Sequence, residues 1–67
     1  MKPRYFVPIR ESAPWLKYFC FYKVGCSGII TGIYSNGQYV NFNITLQQII
    51  ENPYFREVEV EELALII

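Results

Sequence analysis

The chain has 67 residues, with no histidine, no aspartate and only two cysteines. Without His or Asp it can form neither a Ser-His-Asp triad nor a Cys-His nucleophile pair. Metal sites with His ligands are excluded in the same way, and Cys20 and Cys26 alone cannot complete a zinc site. The four glycines are scattered and form no phosphate-binding motif. We therefore predict that the protein is not an enzyme and expect no catalytic residue, metal site or cofactor.

Long apolar runs are also missing. No stretch approaches the roughly 20 apolar residues of a membrane span, and the first residues contain no apolar run of signal-peptide length. We therefore expect a cytoplasmic protein that makes no membrane contact. In that compartment Cys20 and Cys26 are expected to be free thiols, although a hairpin between them could allow a disulfide.

The formal net charge is zero, but the charges are segregated along the chain. Residues 1–23 contain five basic residues and one acidic one, whereas residues 24–67 contain one basic residue and five acidic ones. Either the two ends lie side by side and neutralise each other, or they form two patches for two partners. We favour the first, because opposite charges on adjacent strands support pairing. Glu57, Glu59 and Glu61 could hold a cation, but alternating charge is more typical of a solvated or Arg-paired strand face.

Length and composition predict one domain spanning residues 1–67. A domain of this size buries only about 60% of its unfolded surface. Hydrophobic residues make up 52% of the chain and aromatic residues 18%, and aromatic side chains bury large areas. A small ordered core is therefore expected.

Residue patterns predict five strands and one short helix. The strands are expected at residues 5–9, 15–24, 29–35, 38–43 and 57–60, the last continuing through a bulge at Glu61-Glu62 into residues 63–67. Thr45 and Gln48 have the spacing of a capping box, which predicts a helix over residues 45–51 that ends near Asn52, before Pro53.

Asn36-Gly37 between two apolar runs is typical of a hairpin with a type I′ turn. A two-residue turn places Ser35 opposite Gln38 and Tyr34 opposite Tyr39. Two faces of the hairpin follow. The core face is expected to carry Thr31, Ile33, Val40 and Phe42, and the outer face Ile30, Gly32, Tyr34, Tyr39, Asn41 and Asn43.

These elements predict a mainly β fold, α+β at most: a small five-stranded antiparallel barrel or bent sheet with one short helix near residues 45–51. A basic first strand beside an acidic last strand would bring the two ends of the chain together. It would also cover edges that are otherwise prone to aggregate.

The run from Lys23 to Leu63 resembles small uncharacterised bacterial and phage-associated proteins with a Src-homology-3-like barrel. The resemblance rests on a short helix followed by Asn52-Pro53-Tyr54-Phe55 and then an acidic strand. It implies a Src-homology-3-like fold and a mobile-element origin, and it implies no catalytic residues. The aromatic run Trp15–Tyr22 departs from the pattern of these proteins.

Two surfaces are candidate binding sites. The first is the outer hairpin face with Tyr34, Tyr39 and Asn41, since Tyr and Asn are typical of recognition surfaces. The second interleaves aromatic and basic residues: Trp15, Lys17, Tyr18, Tyr22 and Lys23. In both cases the aromatic residues could instead serve stability alone.

We predict a non-enzymatic binding module that acts through protein–protein contacts. A protein partner or self-association is expected, and no small-molecule substrate is implied. Two alternatives stay open. The aromatic and Lys-containing surface could bind single-stranded nucleic acid, although such domains are usually clearly basic. An exposed strand edge or apolar patch could instead make the protein a self-assembling structural subunit.

Overall fold

A computed structural model of the chain describes residues 2–25 and 27–66. The elements in chain order are β1 (Arg4–Pro8), a 3₁₀ helix (Pro14–Leu16), β2 (Phe19–Val24), β3 (Ile30–Tyr34), β4 (Tyr39–Phe42), α1 (Leu46–Glu51), β5 (Phe55–Val58) and α2 (Val60–Ile66). The strands form one antiparallel sheet in the order β4-β3-β2-β1-β5. The mainly β fold with five antiparallel strands is confirmed. The sheet is open, with β4 and β5 at its edges.

The first strand lies beside the last, as the charge segregation predicts. Tyr5 pairs with Val58 and Phe6 with Glu57 along the β1–β5 ladder. Arg4 at the start of β1 forms an ion pair with Glu57 at 2.7 Å. One basic and one acidic residue from the two ends of the chain therefore neutralise each other across this pair of strands.

Helices cover both faces of the sheet. On the α1 face, Phe6, Val24 and Ile30 form a buried cluster with Ile49 of α1, and further apolar side chains pack against it: Tyr22, Phe42, Ile44 and Leu46. On the opposite α2 face, Val7 and Val58 pack with Leu63 of α2, next to Tyr5 and Phe21. Both sides of β1 are buried, which explains its continuous apolar run Phe6-Val7-Pro8.

The predicted helix at residues 45–51 is confirmed with its cap. The Thr45 hydroxyl accepts a hydrogen bond from the Gln48 backbone N–H at 3.2 Å, and the Gln48 side chain accepts one from the Thr45 N–H at 2.8 Å. Asn52 is the C-cap and has extended backbone angles. Since Pro53 disfavours helical geometry in the residue before it, α1 ends where the sequence predicts.

The prediction of a strand over residues 15–24 is wrong in its first part. Pro14 begins a 3₁₀ helix, and the regular strand starts only at Phe19. The Arg10 guanidinium donates hydrogen bonds to the carbonyls of Leu16 and Phe19, which fixes this connection against β1. The pairing of β2 with β3 also shifts between Phe19 and Phe21.

The prediction of a terminal strand with a bulge at Glu61-Glu62 is wrong, because Val60–Ile66 is a helix. Val60 and Leu63 are three residues apart, which places them on one side of a helix. Glu61 and Glu62 lie in its first turn, where negative charge is favourable. Glu57, Glu59 and Glu61 consequently do not share a strand face.

The hairpin is correctly predicted at residues 29–43, but its turn and register differ from the prediction. The N–H of Gly37 donates to the Tyr34 carbonyl at 3.0 Å, and the N–H of Tyr34 donates to the Gln38 carbonyl at 2.9 Å. Only Gly37 has a positive φ there, +87°. This is the pattern of a three-residue loop, a type I turn followed by a glycine bulge, rather than type I′.

The extra loop residue shifts the register by one. Ile33 pairs with Tyr39, Gly32 with Val40, and Ile30 with Phe42. Such a shift moves side chains to the opposite face relative to the partner strand. Ile30 and Gly32 therefore lie on the α1 face, where Ile30 belongs to the buried cluster. Thr31 and Ile33 were predicted on the core face with Val40 and Phe42 but lie on the opposite, α2 face. Cys20 is a half-buried free thiol, and the prediction for Cys26 lies outside the described residues.

Candidate functional site

The corrected register separates the two tyrosines that were expected to form a cross-strand pair. Tyr34 lies on the α1 face, where its ring meets the Phe19 ring edge-on at a centroid distance of 5.3 Å. Tyr39 lies on the other face and is 71% exposed. Asn41 is on the same face as Tyr39, and its Oδ1 accepts a hydrogen bond from the Thr31 hydroxyl at 2.9 Å.

The space beside Gly32 on the α1 face is filled by aromatic rings. A Cβ placed on Gly32 would lie 2.5 Å from Cε2 of Phe42 and 3.0 Å from Cε2 of Phe19. Glycine therefore lets both rings pack closely against the backbone of β3. Two further rings belong to this aromatic cluster, since Tyr22 contacts both Phe42 and Phe55.

The structure does bring Tyr34 together with Tyr18, another predicted site residue. The N–H of Ser35 donates to the Tyr18 carbonyl at 2.8 Å, which ties the end of the 3₁₀ connection to the hairpin turn. Between these segments lies an open groove of about 660 Å³. We call it the tyrosine groove, and it is lined by Tyr18, Tyr34, Ser35, Asn36, Gln38 and Val40.

The lining of the tyrosine groove is uncharged and combines apolar surface with polar groups. Tyr18 is 65% exposed, and Lys17 Nζ lies 5.0 Å from the centroid of its ring. The Asn36 side chain accepts a hydrogen bond from the Gln38 N–H at 3.0 Å, so it stabilises the turn and its amide N–H₂ group is the part left to donate. The groove thus offers aromatic surface, hydroxyls and amides without a formal charge among its lining residues.

Trp15 is exposed but does not line this groove. Its ring packs edge-on against Tyr54 at 5.1 Å between centroids. Tyr54 is held by two hydrogen bonds, from its N–H to Asn52 Oδ1 at 2.9 Å and from the Ile9 N–H to its carbonyl at 2.7 Å. Residue patterns alone predict no role for Tyr54, although it belongs to the Asn52–Phe55 motif on which the family resemblance rests.

The predicted surface of interleaved aromatic and basic residues is not continuous. Tyr22 points into the aromatic cluster of the α1 face, and burial, with a smaller effect from the neighbouring Tyr34, raises the pKa of its hydroxyl. Lys23 is exposed on the opposite face, opposite Tyr5 and Thr31. Successive strand residues point to opposite sides, so the two cannot act together. Only Lys17 and Tyr18 stay adjacent.

Two smaller grooves in the described residues differ from the tyrosine groove, because both are lined by several charged side chains. Cys20 borders a smaller groove of about 400 Å³ beside Arg10 and Arg56, but Arg10 is bonded to backbone carbonyls and Arg56 to Glu62. Within residues 2–25 and 27–66 there is no group of three or more potential metal ligands. In the same residues, no helix has the length and apolarity needed to cross a membrane.

Comparison with known proteins finds no match: no family model, curated protein or solved structure matches this chain. The resemblance to proteins with a Src-homology-3-like barrel therefore stays a prediction.

Proposed function

We propose that the protein is a non-enzymatic binding module that acts through protein–protein contacts, and that the tyrosine groove is its binding site. The observation that carries this proposal is the meeting of Tyr18 and Tyr34 in one open groove. Tyrosine is enriched at protein interfaces because it gives a large contact area for few rotatable bonds.

The groove is held in place before any partner binds. The Tyr34 ring packs on the buried Phe19, and the Tyr18 backbone is bonded to the hairpin turn. A preformed site loses less conformational entropy on binding than a flexible one. The well-fixed Tyr34 and the more exposed Tyr18 together supply one rigid and one adaptable aromatic contact.

The charge of the groove favours a polypeptide segment without basic side chains as the partner. Its six lining residues carry no formal charge, so a basic side chain bound among them would lose hydration without gaining an ion pair. An extended segment with apolar or small polar side chains fits this chemistry. A cytoplasmic location and the absence of catalytic activity are part of the same proposal.

One observation favours single-stranded nucleic acid instead. Lys17 lies against the ring of Tyr18, and a stacked base with a nearby phosphate could use both side chains. Zero net charge and the lack of any other basic residue along the groove favour the polypeptide.

The proposal can be tested with peptides selected from a randomised display library on the wild-type protein. Their affinity is then measured for Tyr18→Ala and for Tyr39→Ala, a control that removes a similarly exposed tyrosine on the other face. We expect Tyr18→Ala to weaken binding about 30-fold, as for a central interface residue, and Tyr39→Ala to leave it unchanged.

Three results would overturn the proposal. The library could yield no binder, or the selected peptides could bind Tyr18→Ala as tightly as wild type. In the third case the protein would bind an oligothymidylate rather than any peptide, with an affinity that falls steeply with salt because phosphate contacts release counterions. That result would establish the nucleic-acid alternative.

A further inference from the structure

The outer edge of β4 presents main-chain hydrogen-bonding groups without a partner among the described residues. The hydrogen bond from the Tyr34 N–H to the Gln38 carbonyl determines which residue pairs of the hairpin are hydrogen-bonded and which are not. Gly32–Val40 and Ile30–Phe42 are then the pairs that exchange hydrogen bonds with β3. It follows that the N–H and C=O groups of Tyr39 and Asn41 point away from β3, towards the edge of the sheet.

This edge lacks the features that usually protect a strand edge. Natural edge strands are blunted by charged side chains or proline, but β4 has neither, and no charged residue occurs between Lys23 and Glu51. Tyr39 is 71% and Val40 47% exposed. The short length of the strand, four residues, is its one protective feature.

The opposite edge of the sheet is different. β5 contains Arg56 and Glu57, which form ion pairs with Glu62 and Arg4. Pairing β4 of one copy with β5 of another would bring these charges against an uncharged strand, with the cost of desolvating them. A head-to-tail chain of copies is therefore disfavoured.

We propose that β4 pairs antiparallel with β4 of a second copy of this chain, about a two-fold axis at Val40. Tyr39 and Asn41 are two residues apart, and both direct their backbone groups outwards. Tyr39 of one copy therefore pairs with Asn41 of the second copy, and Asn41 pairs with Tyr39 of the second copy. This register forms four main-chain hydrogen bonds. The two uncharged strands match each other, and the contact closes as a dimer because each copy uses the same surface.

The pairing places Val40 directly opposite its own counterpart on the α1 face. Facing side chains in a non-hydrogen-bonded pair are the closest in an antiparallel ladder. Val40 is thus the position at which a charge would act most strongly on association. Its partial exposure in the single chain means that a long polar side chain can replace it without entering the core.

The test uses Val40→Lys and Val40→Glu, studied alone and as an equimolar mixture by sedimentation equilibrium over a concentration series. We expect the wild type to show a concentration-dependent rise from monomer to dimer mass. Each variant alone should need an about fivefold higher concentration than the wild type to reach the same fraction of dimer, because like charges face each other. The mixture should associate more tightly than either variant, because opposite charges then meet.

Two controls separate this contact from other surfaces. Leu65→Lys adds a charge at a highly exposed apolar residue of α2 and should leave the mass profile unchanged. Tyr18→Ala should also leave the mass profile unchanged, so failure of the groove proposal and failure of the dimer proposal give different results.

A further variant tests the hydrogen bonds themselves. Asn41→Pro removes an outward N–H that β3 does not use and should abolish the dimer.

The proposal is overturned if the wild type is monomeric at the highest soluble concentration. It is also overturned if the mixture associates no better than the separate variants, since that result excludes the two-fold register. If Leu65→Lys loses the dimer and the Val40 variants keep it, the contact lies on α2 instead.

Discussion

Arg4 and Glu57 form a two-bond ion pair across the first and last strands. Arg4 Nε donates to Glu57 Oε2 and Arg4 Nη2 to Glu57 Oε1, each at 2.7 Å. Because the guanidinium hydrogen-bonds the carboxylate and lies close to it, the pKa of Glu57 is below its usual range. The residues are 53 positions apart, so this pair joins parts of the chain that are otherwise distant.

The lowered pKa of Glu57 predicts a pH-dependent contribution to stability. The ion pair stabilises the fold fully above the ordinary glutamate pKa of about 4.3, and this stabilisation is lost as the pH falls through the lowered value. Glu57→Gln should therefore reduce the free energy of unfolding at pH 7, by at most about 1 kcal/mol, because both side chains are partly exposed. Urea denaturation at pH 7 and at pH 2 should show the difference at pH 7 only. Glu59→Gln is the control, and an equal loss in both variants would contradict the prediction.

Gly32 is predicted to be the glycine least tolerant of a methyl group. Gly32→Ala places a Cβ 2.5 Å from Phe42, and displacing packed rings costs about 1–3 kcal/mol. Gly25→Ala is the matched control, since among the described residues its Cβ would have one neighbour within 4 Å, the Ile29 carbonyl oxygen at 3.8 Å. Thermal denaturation should show a clear loss for Gly32→Ala and little change for Gly25→Ala. Equal melting temperatures would mean that the rings do not cover Gly32.

At Gly37 the backbone conformation, rather than space, limits substitution. A Cβ there would have no neighbour within 4 Å in the part of the chain that the structure describes, but the φ of +87° is one that L-residues rarely adopt. Gly37→Val should reduce the free energy of unfolding by about 1–2 kcal/mol, as measured in urea. Gly37→Asn should cost less, since Asn tolerates this region better. If Asn and Val cost the same, the strain is not conformational.

Leu63 is predicted to hold α2 on the sheet. It is 5% exposed and packs with Val7 and Val58, so Leu63→Ala should cost about 2–5 kcal/mol. Leu65, two residues later in the same helix, is 88% exposed, and Leu65→Ala should change stability by less than about 0.5 kcal/mol. Chemical denaturation of the two variants compares them directly. A terminal strand with Leu63 and Leu65 on one face would give similar losses for both.

Local signals in the sequence predicted some elements well. The capping box at Thr45 involves residues only three positions apart, so its geometry follows from the local chain. The segregation of charge also predicted that β1 and β5 lie side by side, because the distribution of charge is a property of whole segments. Neither prediction needed knowledge of how the core packs.

The hairpin register could not be predicted in this way. Asn36-Gly37 suits both a two-residue type I′ turn and a type I turn with Gly37 in the bulge position. The choice depends on which face of β3 is buried, and Ile30 and Ile33 are both apolar. Because Phe42 and Phe19 pack over Gly32, the second turn is adopted, and this moves Tyr34 away from Tyr39.

The C-terminal segment shows the same limit. Glu57-Val58-Glu59-Val60 alternates like a strand, and the pattern does not reveal that the strand ends at Val58. Only tertiary contact with Val7 selects Leu63 as the buried residue of a helix. Of the candidate binding residues, Tyr18 and Tyr34 meet because Ser35 bonds to the Tyr18 carbonyl, a contact between two loops that no periodicity encodes.

The pairing of β1 with β5 also affects the order in which the strands come together during folding. β1 to β4 follow one another in the sheet, so their pairing closes only short loops, whereas Tyr5 meets Val58 only after nearly the whole chain is gathered. Loop-closure entropy rises with the length of the enclosed segment. The four-strand meander is therefore expected to form first and β5 to dock last. On the reverse path β5 and α2 would separate first, so their amide protons should exchange with solvent sooner than those of β2 and β3.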